Sequence, residues 1–268
     1  MLLKKNQSND PEAVKKVQKL VGVTADGIYG PKTEAAVKAW QKSHNLDDDG
    51  IVGPKTWAAM FPEQKETNSK CVDPSVVYMP LSVHVTKSPG RKVKYLAIHY
   101  TAGGSSGKGR ARAIKSVFEK RQASADFAVD DFEMVQFNPD IKNYYCWAVG
   151  DKKSASEGGA TVKDGKNSNT ISIEICSNLK KGASVEKANH EGWYYTEASL
   201  ENAAKLAKIL MKKYDIPVEN VVRHYDISGK LCPGIIGWND GPLYKTDGTK
   251  TNQKNNSEKW LEFKKRLA

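Results

Sequence analysis

An eight-residue motif that occurs twice near the start of the chain is the feature that most restricts its fold. Residues 26–33 read Asp-Gly-Ile-Tyr-Gly-Pro-Lys-Thr and residues 49–56 read Asp-Gly-Ile-Val-Gly-Pro-Lys-Thr, so seven of the eight positions agree. A match of this length at a spacing of 23 residues indicates an internal repeat. Asp-Gly is typical of a tight turn, and proline is favoured at the first position of a helix. Each copy is therefore expected to be a turn that leads into a short helix.

Apolar residues recur at helical spacing after each copy of the motif and also ahead of the first copy. The three segments begin at Pro11, Pro31 and Pro54, and each shows one apolar face. Three short helices would form a compact bundle of about 60 residues, which is small but able to fold alone. The polar stretch that follows lacks apolar periodicity and is typical of a linker. We therefore expect a first domain over 1–62, a linker over 63–75 and a second domain over 76–268.

Segments typical of strands and helices alternate in the second domain. Alternation with a period of two places Ile171, Ile173 and Ile175 on one face of a strand, with Glu174 on the opposite face. Thr196 is a plausible N-cap for the strongest helical pattern. The class expected from these elements is mixed α/β, with a central β-sheet flanked by helices. The expected strands and hairpin cover 92–99, 128–137 and 170–176, and the expected helices begin near 106 or 110, near 196 and near 258.

Charge and hydrophobicity limit the classes of partner. The net charge is +11, of which residues 63–268 contribute +9, and this favours an anionic partner such as nucleic acid, a membrane surface or an acidic wall polymer. No apolar run approaches the length of a transmembrane helix, so membrane insertion is not expected. The first residues lack the apolar core of a signal peptide, so we expect a protein that works outside the cytoplasm to leave by another route.

Three residues of the types that bind zinc occur in two places. His99 ends a strand-like run, and His224 and Cys232 lie in the segment Arg-His-Tyr-Asp-Ile-Ser-Gly-Lys-Leu-Cys-Pro. Zinc accepts imidazole nitrogen and thiolate sulfur, and its catalytic sites use three protein ligands and leave a fourth position for water. Judged from these residues alone, the alternative is a structural histidine at the end of a strand and an inert buried cysteine.

Taken together, these segments resemble two known families. The strand–His–Tyr–Thr context of His99, Glu174 within Ser-Ile-Glu-Ile, and the block from His224 to Cys232-Pro233 are similar to the zinc-dependent N-acetylmuramoyl-L-alanine amidases of type 2, over about residues 80–235. That fold is shared with the peptidoglycan recognition proteins. The doubled motif resembles the three-helix peptidoglycan-binding domain. The whole chain accordingly resembles a bacteriophage endolysin or a bacterial autolysin of Gram-positive type.

The resemblance implies a role for five side chains. His99, His224 and Cys232 match the zinc ligands of the family, Glu174 matches its acidic catalytic residue, and Lys230 matches its catalytic lysine. The implied substrate is the amide between the lactyl group of N-acetylmuramic acid and L-alanine of the stem peptide. Glu174 would accept the proton of the attacking water, and Lys230 would place positive charge near the developing oxyanion. We expect the protein to be made in the host cytoplasm and to act on the cell wall after release.

Two other function classes are open. A recognition protein with the same fold would hold peptidoglycan without cutting it, but non-catalytic relatives commonly lose the cysteine ligand, so the presence of Cys232 favours hydrolysis. A nucleic-acid binder would explain the charge, but the chain lacks a helix-turn-helix, zinc-finger or RNA-recognition signature. Anionic polymers of a Gram-positive wall would explain the charge equally well. The expected partners are therefore peptidoglycan and, through charge, such polymers.

Two segments leave the role of particular residues open. Ala125 stands where some family members carry a catalytic tyrosine, so we expect Glu174 and Lys230 to bear more of the catalysis. The neighbouring Asp126 either contacts substrate or a histidine next to the zinc ligands, or is merely structural. Trp147 and the tyrosines just before it either line a glycan groove or belong to the aromatic core.

Overall fold

The computed structural model describes residues 3–61, 71–150, 158–183 and 187–268 of the chain. The chain folds as two compact units, residues 1–68 and 69–268. Residues 63–70 of the expected linker lie outside the described residues. The second unit includes residues ahead of position 76, because Val72 and Val76 are both 6% exposed and pack in its hydrophobic core.

The described part of the first unit contains three helices, as the sequence predicts. They are α1 (Pro11–Val21), α2 (Pro31–Ser43) and α3 (Pro54–Met60), and each begins at the proline that the pattern indicates. Asp10 caps α1 by accepting a hydrogen bond from the N–H of Glu12 at 3.1 Å. The buried apolar residues of the unit form one core: Leu3, Ala13, Val14, Val17, Tyr29, Val37, Val52 and Met60.

A buried glutamine holds each copy of the repeated turn. Gln41 donates from Nε2 to Asp49 Oδ1 at 2.9 Å and to Thr56 Oγ1 at 3.1 Å, and its Oε1 accepts from the N–H of Gly50 at 2.8 Å. Gln18 makes the equivalent contacts one repeat earlier. The φ angle of Gly50 is 71°, in the left-handed region that favours glycine. The aspartates and glycines of the motif therefore form and stabilise the turns, which agrees with the chemistry of Asp-Gly.

The second unit contains the remaining elements that the structure describes. Its strands are β1 (Val77–Tyr78), β2 (Val85–Lys87), β3 (Tyr95–Tyr100), β4 (Phe127–Val129), β5 (Met134–Gln136), β6 (Tyr144–Cys146), β7 (Thr170–Ile175), β8 (Asn178–Leu179), β9 (Trp193–Tyr194), β10 (Val221–Arg223), β11 (Pro242–Tyr244) and β12 (Lys250–Lys254). Its α-helices are α4 (Arg110–Lys120), α5 (Glu197–Tyr214), α6 (His224–Ser228) and α7 (Glu258–Lys265).

Six of these strands form the central sheet in the order β1-β5-β4-β7-β3-β10. Neighbouring strands are parallel except for the β4–β5 hairpin, which is antiparallel. Two-stranded sheets formed by β2 with β6, β8 with β9 and β11 with β12 accompany it. The expected mixed α/β architecture is confirmed, including the strand at 170–175, the hairpin and the three helices α4, α5 and α7.

The two faces of the sheet pack against different elements. Leu96 and Ile98 of β3 share a hydrophobic core with α5 and α7, whereas α4 packs through Ala111 and Phe118 on the opposite side. Thr196 caps α5 by accepting a hydrogen bond from the N–H of Ser199 at 3.2 Å, as its sequence position predicts. Within the described ranges, no helix combines the length and hydrophobicity of a transmembrane span. The parallel strands β3, β7 and β10 all end at one edge of the sheet, where ligands bind in many open α/β folds.

Candidate metal and catalytic site

Three of the five candidate residues lie at the carboxyl ends of neighbouring parallel strands or just beyond them, and a fourth, Cys232, returns to the same place. His99 of β3 is paired in register with Glu174 of β7. On the other side of β3, Arg223 is paired with Ile98, so His224, the first residue of α6, follows at the level of His99. The chain then leaves α6 and returns to the same place, because the N–H of Tyr225 donates to the carbonyl oxygen of Cys232 at 2.9 Å. Sheet register therefore assembles residues that are far apart in sequence.

The three residues of zinc-binding type converge. One ligand atom from each of His99, His224 and Cys232 lies within 4.8 Å of the other two. The Sγ of Cys232 is 3.7 Å from Nδ1 of His99, and the two imidazole rings have centroids 4.6 Å apart. All three residues are buried, with at most 5% of the surface of each exposed. Over the described residues, this is the one group of three or more such side chains with geometry suited to a metal ion.

The unpaired atoms at this site fit a metal ion. His224 places Nε2 3.2 Å from the carbonyl oxygen of Val149, and its Nδ1 is buried without a hydrogen-bond partner. Because a neutral imidazole has one donor and one acceptor nitrogen, donation to Val149 leaves Nδ1 with a free lone pair. Nε2 of His99 is also buried and unpartnered. Leaving such atoms unpaired costs about 1–3 kcal/mol each, and a cation bound by the lone pairs would offset that cost.

Burial sets the protonation states of these ligand candidates. It lowers the pKa of His224 to about 3 and that of His99 well below its usual value, with the positive charge of Lys230 adding to both effects. At neutral pH both imidazoles are therefore uncharged and present lone pairs. Burial and, less strongly, the charge of Glu174 raise the pKa of the Cys232 thiol to about 12. A divalent cation would reverse this last shift, because it stabilises the thiolate.

Glu174 points an unsatisfied carboxyl oxygen into the same site. Its side chain is partly buried, and Oε2 is fully buried without a hydrogen-bond partner. Burial raises the pKa of Glu174 to about 8, and the positive charge of Lys230 opposes that rise. A carboxyl group whose pKa lies near neutrality can both accept and release a proton at working pH, which is the requirement for general acid–base catalysis.

Lys230 is exposed at the rim of the site, in the tight turn between α6 and Cys232. Its backbone N–H donates to Ser228 Oγ at 3.2 Å, and its carbonyl oxygen accepts from the N–H of Cys232 at 2.6 Å. Its positive charge acts on both Glu174 and Cys232, where it opposes the rise in pKa that burial causes. The structure thus brings all five predicted residues to one region of the second unit.

Two supporting contacts were not recognised from the sequence. Arg223 and Asp226 form a buried ion pair at 2.6 Å, which anchors the start of the helix that carries His224. The hydroxyl of Tyr195 donates to the backbone carbonyl of His99 at 3.1 Å and so supports β3 at the candidate ligand. The adjacency of Arg223 and Asp226 to His224 was a usable signal for the first contact. Nothing in the local sequence around Tyr195 indicates the second.

The environment of Asp126 decides between its two possible roles. Asp126 is 1% exposed and lies 3.4 Å from the guanidinium of Arg91. Its Oδ1 also accepts from Asn138 Nδ2 at 2.6 Å, and its Oδ2 accepts from the N–H of Ser172 at 2.8 Å. Both carboxylate oxygens are therefore used inside the protein. The structural alternative for Asp126 holds, and a contact with substrate or with a histidine next to the zinc ligands is not needed to explain it.

Comparison with known proteins follows the same division of the chain. The family model described as N-acetylmuramoyl-L-alanine amidase matches residues 89–235, which include all five candidate residues. A second model, described as a peptidoglycan binding domain, matches residues 12–60 of the first unit.

Individual relatives are bacterial. The N-acetylmuramoyl-L-alanine amidase CwlL of Bacillus licheniformis is 32% identical over 156 residues, which are 54% of this chain and 38% of that protein. The amidase CwlH of Bacillus subtilis is 32% identical over 142 residues, covering 52% of this chain and 46% of that protein. The alignments thus span less than half the length of these two relatives. Among solved structures, a mutant endolysin from Bacillus subtilis is 26% identical, with a TM-score of 0.46, covering 72% of this chain and 98% of that chain.

Proposed function

The chain belongs to the N-acetylmuramoyl-L-alanine amidase family, and on that basis we propose that it hydrolyses the amide between N-acetylmuramic acid and L-alanine of the peptidoglycan stem peptide. The observation that carries the proposal is the convergence of His99, His224 and Cys232 beside an unpaired carboxyl oxygen of Glu174. An amide hydrolase needs a way to activate the carbonyl and a base to activate water: a cation held by the three side chains would supply the first, and Glu174 would supply the second.

His99, His224 and Cys232 are the residues that would hold a zinc ion. Two nitrogens and one sulfur are a usual donor set for catalytic zinc, and their buried lone pairs support this assignment. When bound, zinc would supply Lewis-acid chemistry, which makes an amide carbonyl more electrophilic and a water molecule more acidic. Val149 keeps the ring of His224 oriented through the contact at Nε2, and Tyr195 supports the backbone of His99.

Glu174 is the group that would move protons. Its unpaired Oε2 accepts a proton from the water that attacks the amide carbonyl. The same carboxyl group then gives that proton to the departing nitrogen of L-alanine, so the C–N bond breaks, the alanine amine leaves and the lactyl group becomes a carboxylic acid. Because burial raises the pKa of Glu174 to about 8, the proton is held strongly enough to be taken from water and is still available for transfer.

Lys230 would act on charge rather than on protons. The carbonyl oxygen of the amide becomes negative as water adds to it, and a nearby cation stabilises that charge more strongly in the transition state than in the ground state. The influence of Lys230 on the pKa of Glu174 and Cys232 supports its position near the reacting atoms.

The first unit would hold the enzyme on its substrate. We assign residues 1–62 to wall binding, 63–75 to the linker and 76–268 to catalysis. The match to a peptidoglycan binding domain supports the first assignment. Anionic wall polymers are the partner that we propose for the net charge of +11. A protein with both parts would lyse bacterial walls, as an endolysin released from the host cytoplasm or an autolysin does.

The test is chemical analysis of digested wall. Purified Gram-positive peptidoglycan is incubated with the protein, with and without a chelator, and newly released termini are identified. We expect new N-terminal alanine without new reducing sugar, loss of activity on chelation and recovery with zinc. Bound wall without new termini, in protein that contains zinc, would instead indicate recognition without hydrolysis. New reducing sugar in place of N-terminal alanine would show that the scissile bond is glycosidic.

A further inference from the structure

An open groove lies on the second unit beside the small sheet formed by β2 and β6. Its volume is about 410 Å³, within the range of natural small-molecule sites, about 300–1,000 Å³. We name it the Trp147 groove, and its lining residues are Thr86, Tyr145, Trp147, Lys166, Asn167 and Ser168.

Trp147 is both exposed and held in one orientation. The residue is 39% exposed and lines the groove. Its indole Nε1 donates to Thr86 Oγ1 at 2.8 Å, and its backbone N–H donates to Ser124 Oγ at 2.9 Å. The ring also contacts His84, with centroids 5.4 Å apart. Because its polar atom already has a partner, the exposed part of the ring offers an ordered apolar plane to a ligand.

Asn167 adds fixed hydrogen-bond donors to the groove. Its Oδ1 accepts from the backbone N–H groups of Ala148 at 3.0 Å and Val149 at 2.9 Å. Two N–H donors require an acceptor, so this geometry fixes which end of the amide is oxygen. Among the residues that the structure describes, the Nδ2 of Asn167 donates to none. Within the described ranges both of its N–H groups thus lack an acceptor, and Asn167 lines the groove.

The Trp147 groove is linked to the candidate metal site through a short piece of backbone. Val149 follows Trp147 by two residues, so their Cα atoms are at most about 7 Å apart. The carbonyl oxygen of Val149 is the partner of His224 Nε2 at 3.2 Å. Asn167 therefore holds, through the backbone of Val149, the same segment that contacts a proposed metal ligand.

A sugar ring that carries an acetamido group matches this chemistry. One face of a pyranose ring presents C–H groups, which pack on an aromatic plane, and the acetamide carbonyl accepts hydrogen bonds from an amide. We propose that the Trp147 groove binds the sugar of the glycan strand next to the N-acetylmuramic acid whose amide is cleaved. The sugar ring would lie against Trp147, and its acetamide or a ring oxygen would accept from Asn167. This inference rests on the proposed amidase function, since it places the substrate's glycan beside the site.

The first test measures binding without hydrolysis. The probe is a peptide-free oligosaccharide of alternating N-acetylglucosamine and N-acetylmuramic acid, titrated into the full-length protein by calorimetry, with the indole N–H of Trp147 followed by NMR. We expect Trp147→Ala to weaken binding on the order of tenfold. Asn167→Asp keeps the oxygen acceptor for Ala148 and Val149 but removes both donors, and we expect a similar loss. Leu261→Ala, at an exposed apolar residue of α7, is the matched control and should bind as the wild type does.

The second test separates the sugar from the amide. Two soluble substrates are compared, a muramoyl peptide with a single sugar and a tetrasaccharide that carries the same peptide. We expect Trp147→Ala to raise the KM for the tetrasaccharide on the order of tenfold and to leave the single-sugar substrate within about twofold, because only uniform binding to the second sugar is lost. Trp147→Phe retains an aromatic plane, so its KM for the tetrasaccharide should be close to that of the wild type. This variant keeps the test usable if the alanine variant folds poorly.

The outcomes distinguish this proposal from the amidase proposal. Unchanged oligosaccharide binding in both Trp147→Ala and Asn167→Asp, or equal kinetic losses on both substrates, would overturn the groove assignment while the amidase stands. A wild-type protein that cleaves neither substrate but binds the oligosaccharide through Trp147 would retain the groove and refute the amidase.

Discussion

Arg91 and Asp126 form an ion pair that is removed from solvent, with 3.4 Å between Nη1 and Oδ1 and side chains that are 0% and 1% exposed. The guanidinium also donates to the backbone carbonyl of Tyr144 at 2.7 Å and to that of Ser168 at 3.0 Å. One buried pair thus connects the segment just before β7, the start of the β4–β5 hairpin and β6. Asp126 lies one residue before β4, yet its partner is 35 positions away in sequence.

This arrangement predicts that Asp126→Ala lowers stability rather than catalysis. Removing one partner of a buried pair costs about 3–5 kcal/mol, because the other charge remains buried without compensation. Urea denaturation that follows the second unit would measure the loss. The control is Glu119→Ala, which removes a partly exposed ion pair with Lys115 in the same unit and should change stability little. A stable Asp126→Ala protein with slow turnover would instead place Asp126 in the active site.

Cys232→Ser tests the proposed zinc site. The hydroxyl is a poorer zinc ligand than thiolate, so we expect zinc affinity to fall by more than about a hundredfold, beyond the usual effect of losing a supporting hydrogen bond. Competition with a chromophoric chelator measures the affinity, and elemental analysis measures the zinc content. Cys71→Ser changes a partly buried thiol that does not belong to the group of three candidate ligands, and it is the control. Equal zinc content in all three proteins would contradict the assignment of Cys232.

Glu174→Gln tests the proposed proton carrier. Glutamine keeps the shape of the side chain but cannot accept the proton of water, so we expect kcat to fall by about 10²–10⁴-fold. Zinc content and melting temperature should stay close to those of the wild type. Glu197→Gln is the control, because Glu197 pairs with Arg266 at the surface of the same unit. Wild-type turnover by the Glu174→Gln enzyme would assign the proton to another group.

Gln41→Ala tests how much the buried glutamine stabilises the second copy of the repeated turn in the first unit. The change leaves the N–H of Gly50 and the hydroxyl of Thr56 without their buried partner, and we expect the unit to lose about 2–3 kcal/mol of stability. The loss should appear as a lower melting temperature of the first unit and as weaker binding of the protein to purified wall. Lys42→Ala, at the next and exposed position of α2, is the control. A variant that melts with the control would show that the turn holds without the glutamine.

The exposed carboxyl of Asp164 provides a pH test. Hydrogen bonds from Lys94 at 2.6 Å and from the Tyr95 hydroxyl at 2.6 Å lower the pKa of Asp164 to about 2. A carboxyl whose folded pKa is depressed contributes stability that is present above its unfolded pKa of about 4 and is lost as pH falls towards the folded value. We therefore expect Lys94→Met to raise the pKa of Asp164 in an NMR titration. The loss of stability caused by Lys94→Met should decrease as the pH falls from about 4 to about 2. An unchanged titration of the Asp164 carboxyl in that variant would contradict the assigned cause.

Features that depend on near neighbours in the chain were predictable. The repeated turn, the proline starts of α1, α2 and α3, and the alternation in β7 follow from local geometry, since turn residues, helix periods and strand periods act over a few positions. The residue types of His99, His224 and Cys232 indicated zinc ligands, whereas the roles of Glu174 and Lys230 came from the family resemblance of their short segments. Their convergence, which sheet register brings about, agreed with the resemblance that first connected them.

Other features could not be read from the chain. The sequence left open whether Asp126 contacts substrate and whether Trp147 belongs to the core. In the structure, Asp126 is enclosed by Arg91, Asn138 and Ser172, and Trp147 is exposed in a groove with its indole N–H satisfied. Both answers depend on partners that are far away in sequence, and composition carries no information about such partners.

The sequence by itself determined the kinds of element, the repeat and the residues able to bind a metal, because each of these is a property of short segments. Only the tertiary structure decided the burial, the pKa and the hydrogen-bond partners of those residues. Burial raises the pKa of Glu174 and leaves its Oε2 unpaired, and the carbonyl of Val149 orients His224. Desolvation and long-range hydrogen bonds arise when distant segments pack together, and the chemistry of the site depends on them.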